Sequence, residues 1–157
     1  GVINIHAQAV IWTGDVSPTP TGGAQTWSVS TLSVGDTAQG QMTIAGATVT
    51  VDSQLFIGST STGVGALTIS SGTLSVGSNL NVGQLGSGSF YMGSGVVKIG
   101  GWFSIGESNK YGGSGAATMS GGTLSVGGAF YVGFEGDGTM HLSGGNLSIA
   151  SALWIGC

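Results

Sequence analysis

The stretch that decides the fold runs from Gly65 to Gly83 and reads GALTISSGTLSVGSNLNVG. Apolar and polar residues alternate in three short pieces, ALTI, TLSV and LNV, which are separated by glycine, serine and asparagine. Alternation with a period of two is typical of a β-strand that buries one face. The stretch therefore indicates three short strands joined by tight corners, none of which can bury a core alone.

The same unit recurs along the chain. We number the pieces from LNV as the first, with ALTI as the second and TLSV as the third. The first piece ends at six anchor glycines spaced 23, 25, 23, 27 and 23 residues apart, namely Gly35, Gly58, Gly83, Gly106, Gly133 and Gly156. The second piece recurs as Gln41–Ile44, Ala66–Ile69, Ser89–Met92, Ala116–Met119 and Thr139–Leu142. The third recurs as Thr48–Val51, Thr73–Val76, Val96–Ile99, Thr123–Val126 and Asn146–Ile149. A fixed period of this length is the signature of a solenoid.

We therefore predict an all-β fold, a right-handed parallel β-solenoid (β-helix) with three short strands per turn and about 23–27 residues per turn. Strand one of each turn would sit on strand one of the next, so that inward side chains form apolar columns. One such column would contain Leu32, Leu55, Leu80, Phe103, Phe130 and Leu153.

Two repeats, Gly65–Gly77 (GALTISSGTLSVG) and Gly115–Gly127 (GAATMSGGTLSVG), carry a family resemblance. They resemble the Gly-rich β-strand repeats of bacterial autotransporter passengers and related large cell-surface β-solenoid proteins, and the resemblance covers Thr31 to Gly156. It implies a solenoid fold and a secreted, extracellular or cell-surface location. It implies no single function, because such passengers carry many.

Composition excludes several classes of partner. Charged residues are 5% of the 157 residues, Lys98 and Lys110 are the only strong cations, and the formal net charge is −4. A chain with two lysines cannot build a basic patch, so nucleic acid is not an expected partner. Apolar stretches are only a few residues long, so membrane insertion is not expected either.

The chemistry-bearing residues predict no enzyme, no cofactor and no metal site. Solenoid lyases and hydrolases cluster Asp, Lys and Arg on one outer face, whereas the six acidic residues here are scattered. The corner Gly133–Gly138 holds Glu135 and Asp137, which we interpret as a solvated acidic corner rather than a calcium site. His6 and His141 occupy outward strand positions and are not expected to be ligands.

The first 30 residues differ from the repeats that follow in 31–157, and they contain both prolines. Val2–Ile5 and Ala9–Trp12 resemble strands two and three of an incomplete turn, and Leu153–Ile155 resembles strand one of another. Two interpretations stay open, a cap on the solenoid or a turn shared head-to-tail between copies. The shared turn predicts a subunit interface formed by Ile3, Ile5, Val10, Trp12, Leu153, Trp154, Ile155 and Cys157.

Outward aromatic positions predict an exposed contact surface of Phe56, Tyr91, Tyr131 and Trp154. Aromatic side chains on a nearly uncharged rod favour contact with another rod or a glycan, although ordinary stacking along a sheet explains them equally well.

The expected function is that of a structural protein, an extracellular solenoid subunit that assembles with itself head-to-tail into a filament or surface layer. The alternative is an adhesin or passenger stalk of a cell-surface protein. A lesser alternative is ice binding, because Thr48 and Thr50 begin an outward hydroxyl ladder that Val96 and Lys98 interrupt.

Overall fold

The computed structural model describes residues 9–108 and 112–156. This part of the chain consists of strands and corners, with no helix. The strands are β1 (Ala9–Gly14), β2 (Val16–Ser17), β3 (Thr26–Val29), β4 (Leu32–Val34), β5 (Gln39–Val51), β6 (Leu55–Ile57), β7 (Val64–Val76), β8 (Leu80–Val82), β9 (Ser87–Met92), β10 (Val96–Ile99), β11 (Phe103–Ile105), β12 (Ser114–Met119), β13 (Thr123–Val126), β14 (Phe130–Val132), β15 (Asp137–Leu142), β16 (Asn146–Ile149) and β17 (Leu153–Ile155).

The strands stack in three parallel ladders, which confirms the predicted solenoid, with about six turns. Ladder one is formed by β4, β6, β8, β11, β14 and β17. Ladder two is formed by the first parts of β5 and β7 and by β9, β12 and β15. Ladder three is formed by β3, the last parts of β5 and β7, and β10, β13 and β16.

In the first two complete turns, ladders two and three are continuous. Both β5 and β7 are 13 residues long and run through the corner that the sequence predicts as a break. Each strand bends at a glycine with positive φ, Gly46 at 74° and Gly72 at 91°, and the pairing register shifts between Ile44 and Thr48. A register shift of this kind bends a strand without ending it.

The core consists of the predicted inward columns. In ladder one, Leu32, Leu55, Leu80 and Phe103 are each fully buried. Aromatic rings fill the later turns, where Phe103 stacks on Phe130 with centroids 4.6 Å apart and planes at 9°. Each such side chain stabilises the fold by about 1.5–3 kcal/mol on burial, so stacking of turns supplies the stability that a single turn lacks.

The N-terminal segment reverses direction, and the prediction that Ala9–Trp12 occupies the third-strand position is wrong. Strand β1 runs antiparallel over ladder two, with Val10 opposite Ile44 and Trp12 opposite Met42. The third-strand position belongs to β3, and β2 closes ladder one by pairing antiparallel with β4. Alternation with a period of two carries no strand direction, which is why the sequence pattern did not reveal the reversal.

Candidate functional site

The C-terminal turn, formed by β15, β16 and β17, is uncovered. Its inward side chains Leu142, Leu153 and Ile155 are 48%, 51% and 72% exposed. One turn earlier, Phe130 and Val132 occupy the positions of Leu153 and Ile155 and are 1% and 6% exposed. The difference arises because no strand stacks on the outer side of this last turn in the described structure.

Two of the three strands of this open turn, β16 and β17, also lack the usual protection of a sheet edge. Edge strands are normally blunted by charge, by proline or by a covering segment. Strands β16 and β17 contain neither charged residues nor proline. Trp154, on the outward side of β17, is 51% exposed.

The N-terminal end is different, because β1 and β2 close two of its three ladders. Val10 is 1% exposed and Val16 is 5% exposed, so both side chains are already used within the chain. Trp12, Trp27 and Val29 are only half-buried against the core. Of the predicted interface residues, Ile3, Ile5 and Cys157 lie outside the described residues.

A second site is an aromatic pocket on the outward side of ladder one. We define this aromatic pocket by its lining, which encloses about 160 Å³ and consists of Trp102, Ser104, Glu107, Tyr131 and Phe134.

Hydrogen bonds and ring contacts hold both walls of the aromatic pocket. The backbone N–H of Trp102 donates to Asn79 Oδ1 at 3.0 Å, and its indole N–H donates to Asn81 Oδ1 at 3.4 Å. On the other wall, the rings of Tyr131 and Phe134 lie 5.0 Å apart at 55°. The Trp102 wall is thus positioned by hydrogen bonds to the neighbouring turn.

Two oxygen atoms beneath these rings are buried without a hydrogen-bond partner among the described residues, Ser104 Oγ and Glu107 Oε2. Burial raises the pKa of the Glu107 carboxyl above its ordinary value, and a hydrogen bond from the Gln84 side chain partly offsets that rise. Unpartnered polar atoms of this kind are rare in native structures, so each one has a cause such as a bound water or ion, strain or a function.

The four residues of the predicted aromatic surface do not form one surface in the structure. Tyr91, on ladder two, is 43% exposed, and its hydroxyl lies 3.0 Å from Ser120 Oγ. Phe56 and Tyr131 are half-buried. Only Tyr131 contributes to the aromatic pocket; the other lining residues were missed by the sequence reasoning. The available signal was the register that places position 104 beside position 131 on adjacent turns.

The outward side of ladder three forms a groove of about 560 Å³. Its side-chain column is Thr50, Ser75, Lys98, Ser125 and Ser148. The next column is glycine at three successive turns, which leaves the surface concave.

Two features of other functional classes, a metal-ligand group and a membrane-spanning helix, are absent from the described part of the chain. Residues 9–108 and 112–156 contain no group of three or more His, Cys, Asp or Glu side chains placed to hold a metal ion. Nor do they contain a helix long and apolar enough to cross a membrane. No protein-family model, no curated protein and no solved structure matches the chain. The resemblance to autotransporter passenger repeats stays a prediction from the sequence.

Proposed function

We propose that the chain is a structural, non-catalytic subunit of an extracellular β-solenoid rod, and that its C-terminal turn stacks on the N-terminal end of the next copy. The observation that carries this proposal is the uncovered C-terminal turn. Apolar side chains that are exposed together on unpaired strands favour further stacking.

Ladder three offers the most direct continuation between copies. Strands β16 and β3 have the same burial pattern, with two half-buried inward side chains in each. These side chains are Leu147 and Ile149 in β16, and Trp27 and Val29 in β3. Both strands run in the same direction in ladder three. Stacking β16 on the β3 of a neighbour would extend both apolar columns with parallel pairing.

This arrangement differs from the turn that the sequence predicted to be shared. Val10 cannot contribute an apolar surface, because it is buried within its own chain. Ladder one is closed by β2 at the N-terminal end. The contact would therefore centre on ladder three, and it would be heterologous, so that repeated stacking produces an open filament.

Negative-stain microscopy and sedimentation velocity test the proposal with pairs of variants. The two variants of a pair lie on the same strand, one facing the core and one facing solvent. Leu147→Lys places a charge in the inward column, whereas Ser148→Lys places the same charge on the exposed side of the same strand. We expect filaments from the wild type and from Ser148→Lys, and single short rods from Leu147→Lys. Short rods from the wild type at every concentration would refute end-to-end stacking.

A second pair of variants tests the N-terminal partner. Trp27→Lys changes the inward column of β3, and Ser28→Lys is its exposed neighbour. We expect Trp27→Lys alone to stop assembly, provided that its circular-dichroism melt shows a folded chain. Assembly by a folded Trp27→Lys would show that β3 is not the acceptor.

The alternative, an adhesin or passenger stalk, is favoured by one observation, the aromatic pocket with its unpartnered oxygen atoms. It predicts ligand binding by isolated rods. No observation favours ice binding, because the outward side of ladder three is a groove with Lys98 at its centre rather than a flat hydroxyl ladder.

A further inference from the structure

We propose that the aromatic pocket binds one neutral pyranose unit of a glycan, with the sugar ring between Trp102 and the Tyr131–Phe134 pair and adjacent sugar hydroxyls on Ser104 and Glu107. This inference goes beyond the structural role and does not depend on filament formation.

Ser104 is the observation that points most directly to a ligand. Its residue is 2% exposed, and its hydroxyl has no hydrogen-bond partner among the described residues. Asn81, the preceding residue of the same outward column, is buried equally but accepts the hydrogen bond from Trp102. A buried hydroxyl without a partner costs free energy, and a ligand hydroxyl at this point would recover it.

The three aromatic rings supply the apolar half of the site. A pyranose ring has an apolar face of C–H groups and a rim of hydroxyls, and aromatic side chains combine large contact area with little conformational entropy. Trp102 is held by Asn79 and Asn81 before any ligand arrives, so little freedom is lost on binding. Trp102 and Phe134 remain 44% and 38% exposed, which leaves the mouth of the pocket open to a longer glycan.

Both oxygen atoms are buried, so a ligand reaches them only when a lining side chain moves, and we infer that this side chain is Phe134. Phe134 lies in a short corner between Gly133, with φ 73°, and Gly136, outside the apolar columns. Because its ring is already 38% exposed, an outward rotation would widen the pocket without opening the core.

The charges of the site select a neutral sugar. Glu107 is the carboxyl group of the pocket, and its Oε2 is buried. Because the whole chain carries a net charge of −4, a uronic or other acidic sugar would be repelled. A quaternary ammonium group would pair with Glu107 but has no hydrogen to donate and no acceptor for Ser104. Adjacent hydroxyls satisfy both oxygen atoms at once.

The test is an NMR titration of the full chain with methyl glucopyranoside, methyl galactopyranoside and methyl mannopyranoside, with tetramethylammonium chloride in a separate arm. The chain has four tryptophans, and the indole N–H signal of Trp102 is assigned by its loss in Trp102→Phe. For a ligand of this size we expect at least one sugar to bind with Kd of about 1 mM, independently of added NaCl.

Variants separate the site from the rest of the surface. Trp102→Ala, Ser104→Ala and Glu107→Ala should each weaken sugar binding about tenfold or more. Tyr91→Ala, which removes an exposed aromatic on a different ladder, should leave binding unchanged. Circular-dichroism melts exclude unfolding as the cause, and Leu147→Lys should still bind sugar if filament formation is a separate property.

Three results would overturn the inference. The first is the absence of saturable binding by any of the sugars at about fifty times that Kd. The second is binding of tetramethylammonium in place of sugar, with salt sensitivity and loss in Glu107→Ala, which would identify a cation site. The third is sugar binding that persists unchanged in folded Ser104→Ala and Trp102→Ala.

Discussion

Gly83 shows at the scale of one residue why the anchor glycines recur. Its φ is 69°, in the region that L side chains rarely adopt. A Cβ at this position would collide with the carbonyl oxygen of Ser114 on the next turn and lie 2.7 Å from the amide nitrogen of Gly115. The glycine therefore serves both the corner and the close approach of two turns.

Gly83→Ala should destabilise the fold by about 4 kcal/mol or more, because backbone atoms of the next turn block the new methyl group. Gly156 ends the same kind of strand with φ 65° but has no atom within 4 Å of an added Cβ. Gly156→Ala should cost only the backbone term of about 1–2 kcal/mol. Urea unfolding of both variants measures the difference, and equal losses would contradict the stacking explanation.

Ser104 gives a prediction of opposite sign. Because its buried hydroxyl has no hydrogen-bond partner among the described residues, Ser104→Ala removes a desolvated polar group and loses no bond. We expect the free energy of unfolding to stay equal or to rise by about 1 kcal/mol. Ser33→Ala, at a half-exposed position of the same ladder, is the control and should change stability by less than about 0.5 kcal/mol. A clear loss of stability in Ser104→Ala would show that the hydroxyl is satisfied in solution.

At the scale of elements, one carboxylate joins the N-terminal strands β1 and β2 to the corner that follows β4. Asp15 lies between β1 and β2, and its Oδ2 accepts the backbone N–H of Thr37 at 2.8 Å and that of Ala38 at 3.1 Å. The Thr37 N–H holds the pKa of the Asp15 carboxyl below its ordinary value of 3.8. The folded state thus binds protons less readily than the unfolded chain, and this stabilisation is present above pH 3.8 and lost as the pH falls through the folded pKa.

Asp15→Asn should therefore lower stability at neutral pH, and its difference from the wild type should shrink as the pH falls below 3.8. Asp52→Asn makes the same charge change at an exposed corner and serves as the control. Urea unfolding across this pH range measures both. If the difference in the free energy of unfolding were independent of pH, ionised Asp15 would not stabilise the N-terminal strands β1 and β2.

The elements also show what the sequence pattern can and cannot predict. Every anchor glycine from Gly35 to Gly156 ends a ladder-one strand, and the inward columns were predicted residue by residue, because stacking copies one pattern onto the next turn. The direction of β1 was not predictable, since parallel and antiparallel strands share the same alternation. The aromatic pocket was missed because Trp102, Glu107 and Phe134 lie in corners, outside the alternating pieces.

At the scale of the whole molecule, the two ends of the solenoid are unequal. Among residues 9–108 and 112–156, β2 and β1 close ladders one and two at the N-terminal end, whereas no strand covers any of the three ladders at the C-terminal turn. A rod whose two ends differ in this way has a defined polarity. Stacking of such rods would keep all copies pointing in one direction.

Hydrogen–deuterium exchange, read by mass spectrometry in dilute and in concentrated samples, tests this polar stacking most directly. Stacking should protect the amides of β16 and β3 in the concentrated sample, because each strand gains a paired edge, while the already paired β8 and β11 exchange slowly in both samples. Polar stacking predicts concentration-dependent protection at both β16 and β3, and none in Leu147→Lys. Exchange of β16 and β3 that is the same in dilute and concentrated wild-type samples would contradict it.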